Sequence, residues 1–139
     1  MILVALALAS QAPHAAPSHL GDIRMHLFEH ATGQLSPDMS PPDGSAGWNT
    51  TLHADDLVVV AEVRTTGEQF IQRPLIIVAR GAHGRILGQR RFTAILTSDA
   101  GRAYLPLWLN DVACAGDIRV TVTYGAETHT ETLQLHCGE

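Results

Sequence analysis

The sequence contains no lysine. All nine of its basic residues are arginine, and with so much alanine this points to the codon bias of a GC-rich, bacterial genome. Charge of either sign is scarce: charged residues are 17% of the chain, and the formal net charge is −5. There is no basic block, so the electrostatic footprint of a nucleic-acid-binding protein is missing. Cysteine is limited to Cys114 and Cys137, with no Cys-x-x-Cys. That spacing argues against a zinc ribbon and against a thioredoxin-type redox site. Gly-x-Ser-x-Gly, P-loop and Gly-x-Gly-x-x-Gly motifs are absent too. Serine, histidine and aspartate occur, but nothing in the sequence brings them together, so no catalytic residue and no cofactor is expected.

Apolar residues make up 45% of 139 residues, enough for one domain with a real core. Ile2 to Ala9 reads ILVALALA, and Ser10-Gln11-Ala12 follows with small residues at the positions a signal peptidase requires. Residues 1–12 therefore read as a secretory signal, although no basic residue precedes the apolar run. The run is too short to span a bilayer, which takes about 20 residues, and no later segment is longer. Residues 13–22 read as a linker and 23–139 as a single domain, periplasmic or secreted, with no membrane span in the mature chain.

The stretch between the two cysteines carries the strongest structural signal. Ile118 to Tyr124 reads IRVTVTY, a strict alternation, and Thr128 to His136 reads THTETLQLH. Gly125-Ala126 between them suits a two-residue type II′ hairpin turn. That turn sets a register in which paired residue numbers sum to 251, so Ile118 faces Leu133 and Thr123 faces Thr128. In the same register Cys114 faces Cys137, which predicts a cross-strand disulfide suited to an oxidising compartment, with Gly116 loosening the ladder nearby. Glu131 shares a face with Leu133, so that face is not wholly apolar.

Further strands are expected at Leu57–Val63, Leu75–Ala79, Arg85–Phe92 and Ala103–Leu109, with a first one near His26–Glu29. Pro106 confines its strand to a sheet edge or a bulge. There is no convincing amphipathic helix. The pattern predicts an all-β, antiparallel β-sandwich of six to seven strands. From about Asp55 to Cys137, strand count and spacing resemble the immunoglobulin-like superfold. The resemblance implies a fold and no function. The cysteines here staple the last hairpin instead of bridging two sheets, and Trp108 precedes the first of them.

Residues 31–54 are rich in proline and glycine and read as a long loop crossing between sheet edges, with Trp48 as an anchor or contact residue. His26 to His30 reads HLFEH, the spacing of inverted zincin peptidases on a helix. On a strand, residues four apart stand about 13 Å apart, too far to share one zinc. The run from Asp22 to Ala31 lacks a helical stripe, so a strand is expected. Met25, His26 and His30, with His14, His19 and Met39 nearby, remain candidate ligands for copper or zinc in an alternative reading as a periplasmic metal-binding protein. The leading expectation is a non-catalytic binding module for a protein or a cell-envelope component. Its candidate contact residues are Trp48 and the cluster Arg80, Arg85, Arg90 and Arg91.

Overall fold

The computed structural model describes residues 17–41, 54–112 and 114–135. Residues 1–12, read above as a secretory signal, lie outside the described residues, as do Trp48 and Cys137. The described chain forms ten strands: β1 (His19–Glu29), β2 (Gln34–Leu35), β3 (Ala54–Arg64), β4 (Phe70–Ile71), β5 (Leu75–Arg80), β6 (Ile86–Phe92), β7 (Ile95–Leu96), β8 (Arg102–Leu109), β9 (Gly116–Tyr124) and β10 (Glu127–Leu135). Seven are long, within the expected number, and three are two-residue pieces that local pattern does not reveal. All pairings are antiparallel. One four-stranded sheet runs β2-β1-β3-β8, the other β10-β9-β5-β6, and β4 pairs with β7 in a separate ribbon. Among the described residues no helix is long and apolar enough to cross a membrane.

Alternation builds the core. Successive side chains on a strand point to opposite faces. In β3, Leu57, Val59, Ala61 and Val63 are all fully buried, while the outward positions carry Asp56, Val58, Val60, Glu62 and Arg64. The second sheet contributes Leu75, Ile77 and Ala79 from β5, and Ile118, Val120, Val122 and Tyr124 from β9, to the same cluster. Each aliphatic side chain of that size contributes roughly 1.5–3 kcal/mol when fully buried.

The last hairpin has the register derived from its turn. Pairs run from Glu127↔Tyr124 through Leu133↔Ile118 to Leu135↔Gly116. Gly125 has φ 59 while Ala126 is not in the positive-φ region, the sign pattern of a type II′ turn. Beyond Gly116 the expected ladder stops. Gly116 and Cys114 take φ of 74 and 64, and the Ala115 N–H donates to the Val112 carbonyl at 3.0 Å. Cys114 thus sits in a turn and not on the strand, so the regular ladder does not extend to it as the turn-derived register expects. Pro106 lies on β8, which pairs with β3 alone. On that edge its missing N–H leaves no ladder bond unmade.

Two boundaries differ from expectation. The linker gives way to β1 at His19, because His19 and Leu20 pair with Arg64 and Val63 of β3. Local pattern hides this: Gly21 breaks the alternation at a register shift before Ile23. A Cβ on Gly21 would stand 2.6 Å from Glu62 Oε2, so the glycine makes room for that carboxylate. The proline-rich loop, over its described part, does not leave its own sheet. It turns back along β1, with the Ser36 and Met39 N–H groups donating to the Leu27 and Met25 carbonyls, both at 2.8 Å.

Candidate functional site

Two sheet faces point away from the core, and they differ in chemistry. The outward face of β1-β3-β8 carries two buried carboxylates, each enclosed by donors. Asp56 Oδ2 accepts from the Trp108 indole at 2.6 Å and lies 3.0 Å from His30 Nε2, and Oδ1 accepts from the Asp111 N–H at 3.0 Å. Phe28 packs edge-on against both Trp108 and His30. At the other end, Glu62 Oε2 accepts from Arg64 Nε at 2.9 Å, and Oε1 from Arg102 Nη1 at 2.7 Å. Arg64 also reaches Asp22 at 2.7 Å. Trp108 and Tyr104 remain half-exposed on this face, with the Arg24 guanidinium 5.0 Å from the Tyr104 ring centre.

Burial alone would raise the pKa of the Asp56 and Glu62 carboxyls, but their donors outweigh it and hold both below the ordinary values. Asp38, hydrogen-bonded by the Met25 and Ser40 N–H groups, behaves alike. A carboxyl with a depressed folded pKa binds fewer protons folded than unfolded, so stability rises with pH there. The contribution of these three is complete above about pH 4.5 and is lost as pH falls through their lowered folded values. The urea midpoint should therefore fall as the medium is acidified below about pH 4.5. Asp56→Asn/Glu62→Gln should lower the midpoint at neutral pH and flatten that acid limb. An unchanged acid limb in the variant would show that these carboxylates do not drive it.

The metal-ligand candidates do not converge. Met25 is fully buried in the core, whereas its neighbour His26 points outward and places Nδ1 2.9 Å from the Ser36 carbonyl. His30 follows the end of β1 and is held at Asp56. Met39 is in the core, and His19 lies 3.8 Å from Glu127. Strand alternation separates Met25 from His26, and strand rise, not alternation, separates His26 from a residue four places on. Among the described residues no group of three or more His, Cys, Asp or Glu is placed to hold a metal ion.

The outward face of β10-β9-β5-β6 is basic and rich in threonine. Its register sets three rows across four strands: Thr128, Thr123, Ile76 and Arg91; Thr130, Thr121, Val78 and Gln89; Thr132, Arg119, Arg80 and Ile86. Asp117, opposite Gln134, is the one acid among the described residues of this face. Arg80 and Arg119 are direct cross-strand partners, an arrangement that like charges disfavour. Arg80 donates one hydrogen bond to the Gly84 carbonyl at 2.9 Å. Arg85, Arg91 and Arg119 are exposed and enter no ion pair among the described residues.

The arginine cluster read from the sequence is thus partly regrouped. Arg80 and Arg91 share the face, and Arg85 lies in the turn between β5 and β6. Arg90 does not belong: it pairs with the core-facing Ile77, and its Nη1 crosses to the Pro106 carbonyl of β8 at 3.0 Å, over the Phe92 ring. It closes the side of the molecule where the two sheets meet. Arg119 takes its place. Its outward position was legible in IRVTVTY, but its pairing with Arg80 depends on the β5–β9 contact, which no local pattern encodes.

A cleft of about 640 Å³ opens elsewhere, between Pro17–His19, Gln69–Arg73 and Ala126–Glu127. No residue of the arginine face lines it.

No family model and no curated protein matches the chain. Solved structures similar to it include the Bifidobacterium dentium beta-glucuronidase complexed with coumarin-3-O-glucuronide, at 12% identity and TM-score 0.45. That match covers 86% of this chain and 18% of the other. The C-terminal domain of wzt is similar at 11% identity and TM-score 0.45, over 90% of this chain and 75% of that one. The ligand binding region of serine-glutamate repeat protein A of Enterococcus faecium gives 10% identity and TM-score 0.34, over 54% and 73%. This chain spans less than a fifth of the glucuronidase.

Proposed function

We propose that the protein is an exported, non-catalytic binding module with an immunoglobulin-like β-sandwich fold, which holds a protein or a cell-envelope component on the face of β10-β9-β5-β6. Strand order supports the fold. Lettering β1, β3, β5, β8, β9 and β10 as A, B, C, E, F and G gives A-B-E in one sheet and G-F-C in the other, the immunoglobulin-like order, with β6 added beside C. Export rests on residues 1–12. A disulfide between Cys114 and Cys137 belongs to the same reading, since the observed hairpin register runs toward that pair.

The observation that carries the function is the juxtaposition of Arg80 and Arg119, with Arg91 two rows away, on a sheet face with one acid among its described residues. A chain of net charge −5 that gathers on one sheet face guanidinium groups with no ion-pair partner among the described residues is suited to meet an anionic surface. The buried carboxylates on the opposite face are already matched by their own arginine, indole and backbone donors, which suits structural roles.

The test is retention of the purified mature protein by the cell-envelope fraction. Wild type should be retained and released by salt, because exposed charge pairs are screened within about 8 Å at physiological ionic strength. Arg91→Gln/Arg119→Gln should be retained about tenfold less, the loss expected when charge-assisted hydrogen bonds are removed. Equal retention of a folded double variant would end the assignment of this face.

A further inference from the structure

We propose that the arginine–threonine face takes an acidic polysaccharide, an extended glycan carrying carboxylate groups along its chain. The inference rests on the binding-module reading and names the partner of that face.

Shape and charge spacing point to an extended polyanion. The face is a sheet surface built of four strands side by side, whereas small-molecule sites are concave. Arg80 and Arg119, paired across adjacent strands, root their side chains roughly 5 Å apart at Cβ, a spacing from which both long side chains can reach one carboxylate. Arg91 lies in the row of Ile76, four residues along β5 from Arg80. That is roughly 13 Å at strand rise, too far for the same small anion to engage both places. The charges are sparse compared with a nucleic-acid strand, which carries one phosphate about every 3.4 Å. A glycan with one carboxylate per sugar unit or fewer suits this spacing.

The uncharged part of the face separates glycan from other polyanions. Thr121, Thr123, Thr128, Thr130 and Thr132 line two adjacent strands, and the Thr121 and Thr130 hydroxyls are 3.2 Å apart. A hydroxyl both donates and accepts, which matches a polyhydroxylated chain. No aromatic ring stands in these rows, so base stacking, which supports single-stranded nucleic-acid binding, has no platform. The buried aromatic anchors that dominate protein–protein hot spots are missing as well. Ile76 and Val78, the apolar centre, are only half-buried and small enough to lie under a sugar ring.

The experiment measures binding of the full mature chain to immobilised polygalacturonate, with dextran as the neutral glycan and polyglutamate as the acidic peptide. Wild type should bind polygalacturonate with an affinity that falls with salt, bind it more tightly than polyglutamate, and ignore dextran. Arg91→Gln/Arg119→Gln, shown folded by circular dichroism, should bind about tenfold more weakly. Arg119→Lys, which keeps the charge and loses the fork, should fall between them. Equal binding by the double variant overturns the proposal, as does tighter binding to polyglutamate. Absence of polygalacturonate binding with arginine-dependent envelope retention intact overturns the glycan and leaves the module standing. Loss of both overturns both.

Discussion

Replacing Tyr124 by alanine is expected to lower the unfolding free energy by about 3–5 kcal/mol, the range for truncating a buried aromatic ring. Tyr124 closes β9 with no exposed surface, and it joins three parts of the chain. It pairs with Leu75 of β5 and with Glu127 of β10. Its hydroxyl lies 2.6 Å from Ser18 Oγ, just before β1, and the Arg73 guanidinium lies 5.2 Å from its ring centre. Truncation leaves a cavity where the N-terminal strand meets the last hairpin, and neighbouring β-strands relax poorly because both sheets hold their registers. Tyr124→Phe keeps the ring and loses one hydrogen bond, so its cost should be about 1 kcal/mol. Urea unfolding of the two variants checks the pair. Costs of equal size would mean that the hydroxyl contact, and not ring packing, fastens the N-terminal strand.

Double replacement of Cys114 and Cys137 by serine is expected to cost about 2–4 kcal/mol, with envelope retention unchanged in the folded protein. The motive is the hairpin, whose pairs sum to 251 down to Leu135↔Gly116. The bond would close a hairpin loop and remove conformations from the unfolded chain, and it would also restrain a C-terminal strand that is otherwise prone to fray. Cys114 lies in the turn before Gly116, so the bond would be made just outside the ladder. Reducing agent should lower the wild-type midpoint to that of the double variant. Two titratable thiols in the exported, non-reduced protein would rule the bond out.

The chain's local pattern was enough for much of this architecture. In Ile118 to Leu135 the period of two and Gly125 determine the faces, the turn and the pairing, because a two-residue loop leaves one in-step register. Pro106 marked an edge strand or a bulge by its missing donor, and pairing of β8 with β3 alone decided for the edge. The strand character of His26–Glu29 removed the helical spacing on which a histidine pair at one metal would depend.

What lay out of reach of the sequence depends on partners distant along the chain. Asp56 and Glu62 sit in an apolar run, and nothing near them shows that Trp108, His30, Arg64 and Arg102 enclose them; those donors arrive when β1 and β8 flank β3. Arg90 and Arg91 are neighbours in sequence, yet alternation sends one across to β8 and the other onto the outward face. Arg119 joins Arg80 only through the β5–β9 pairing. Side-chain period is a property of a single strand and can be read from it. The choice of which strand lies beside which, and at what offset, comes from burying the two sheets' apolar faces together, and that choice alone set Arg80 opposite Arg119 on the candidate face.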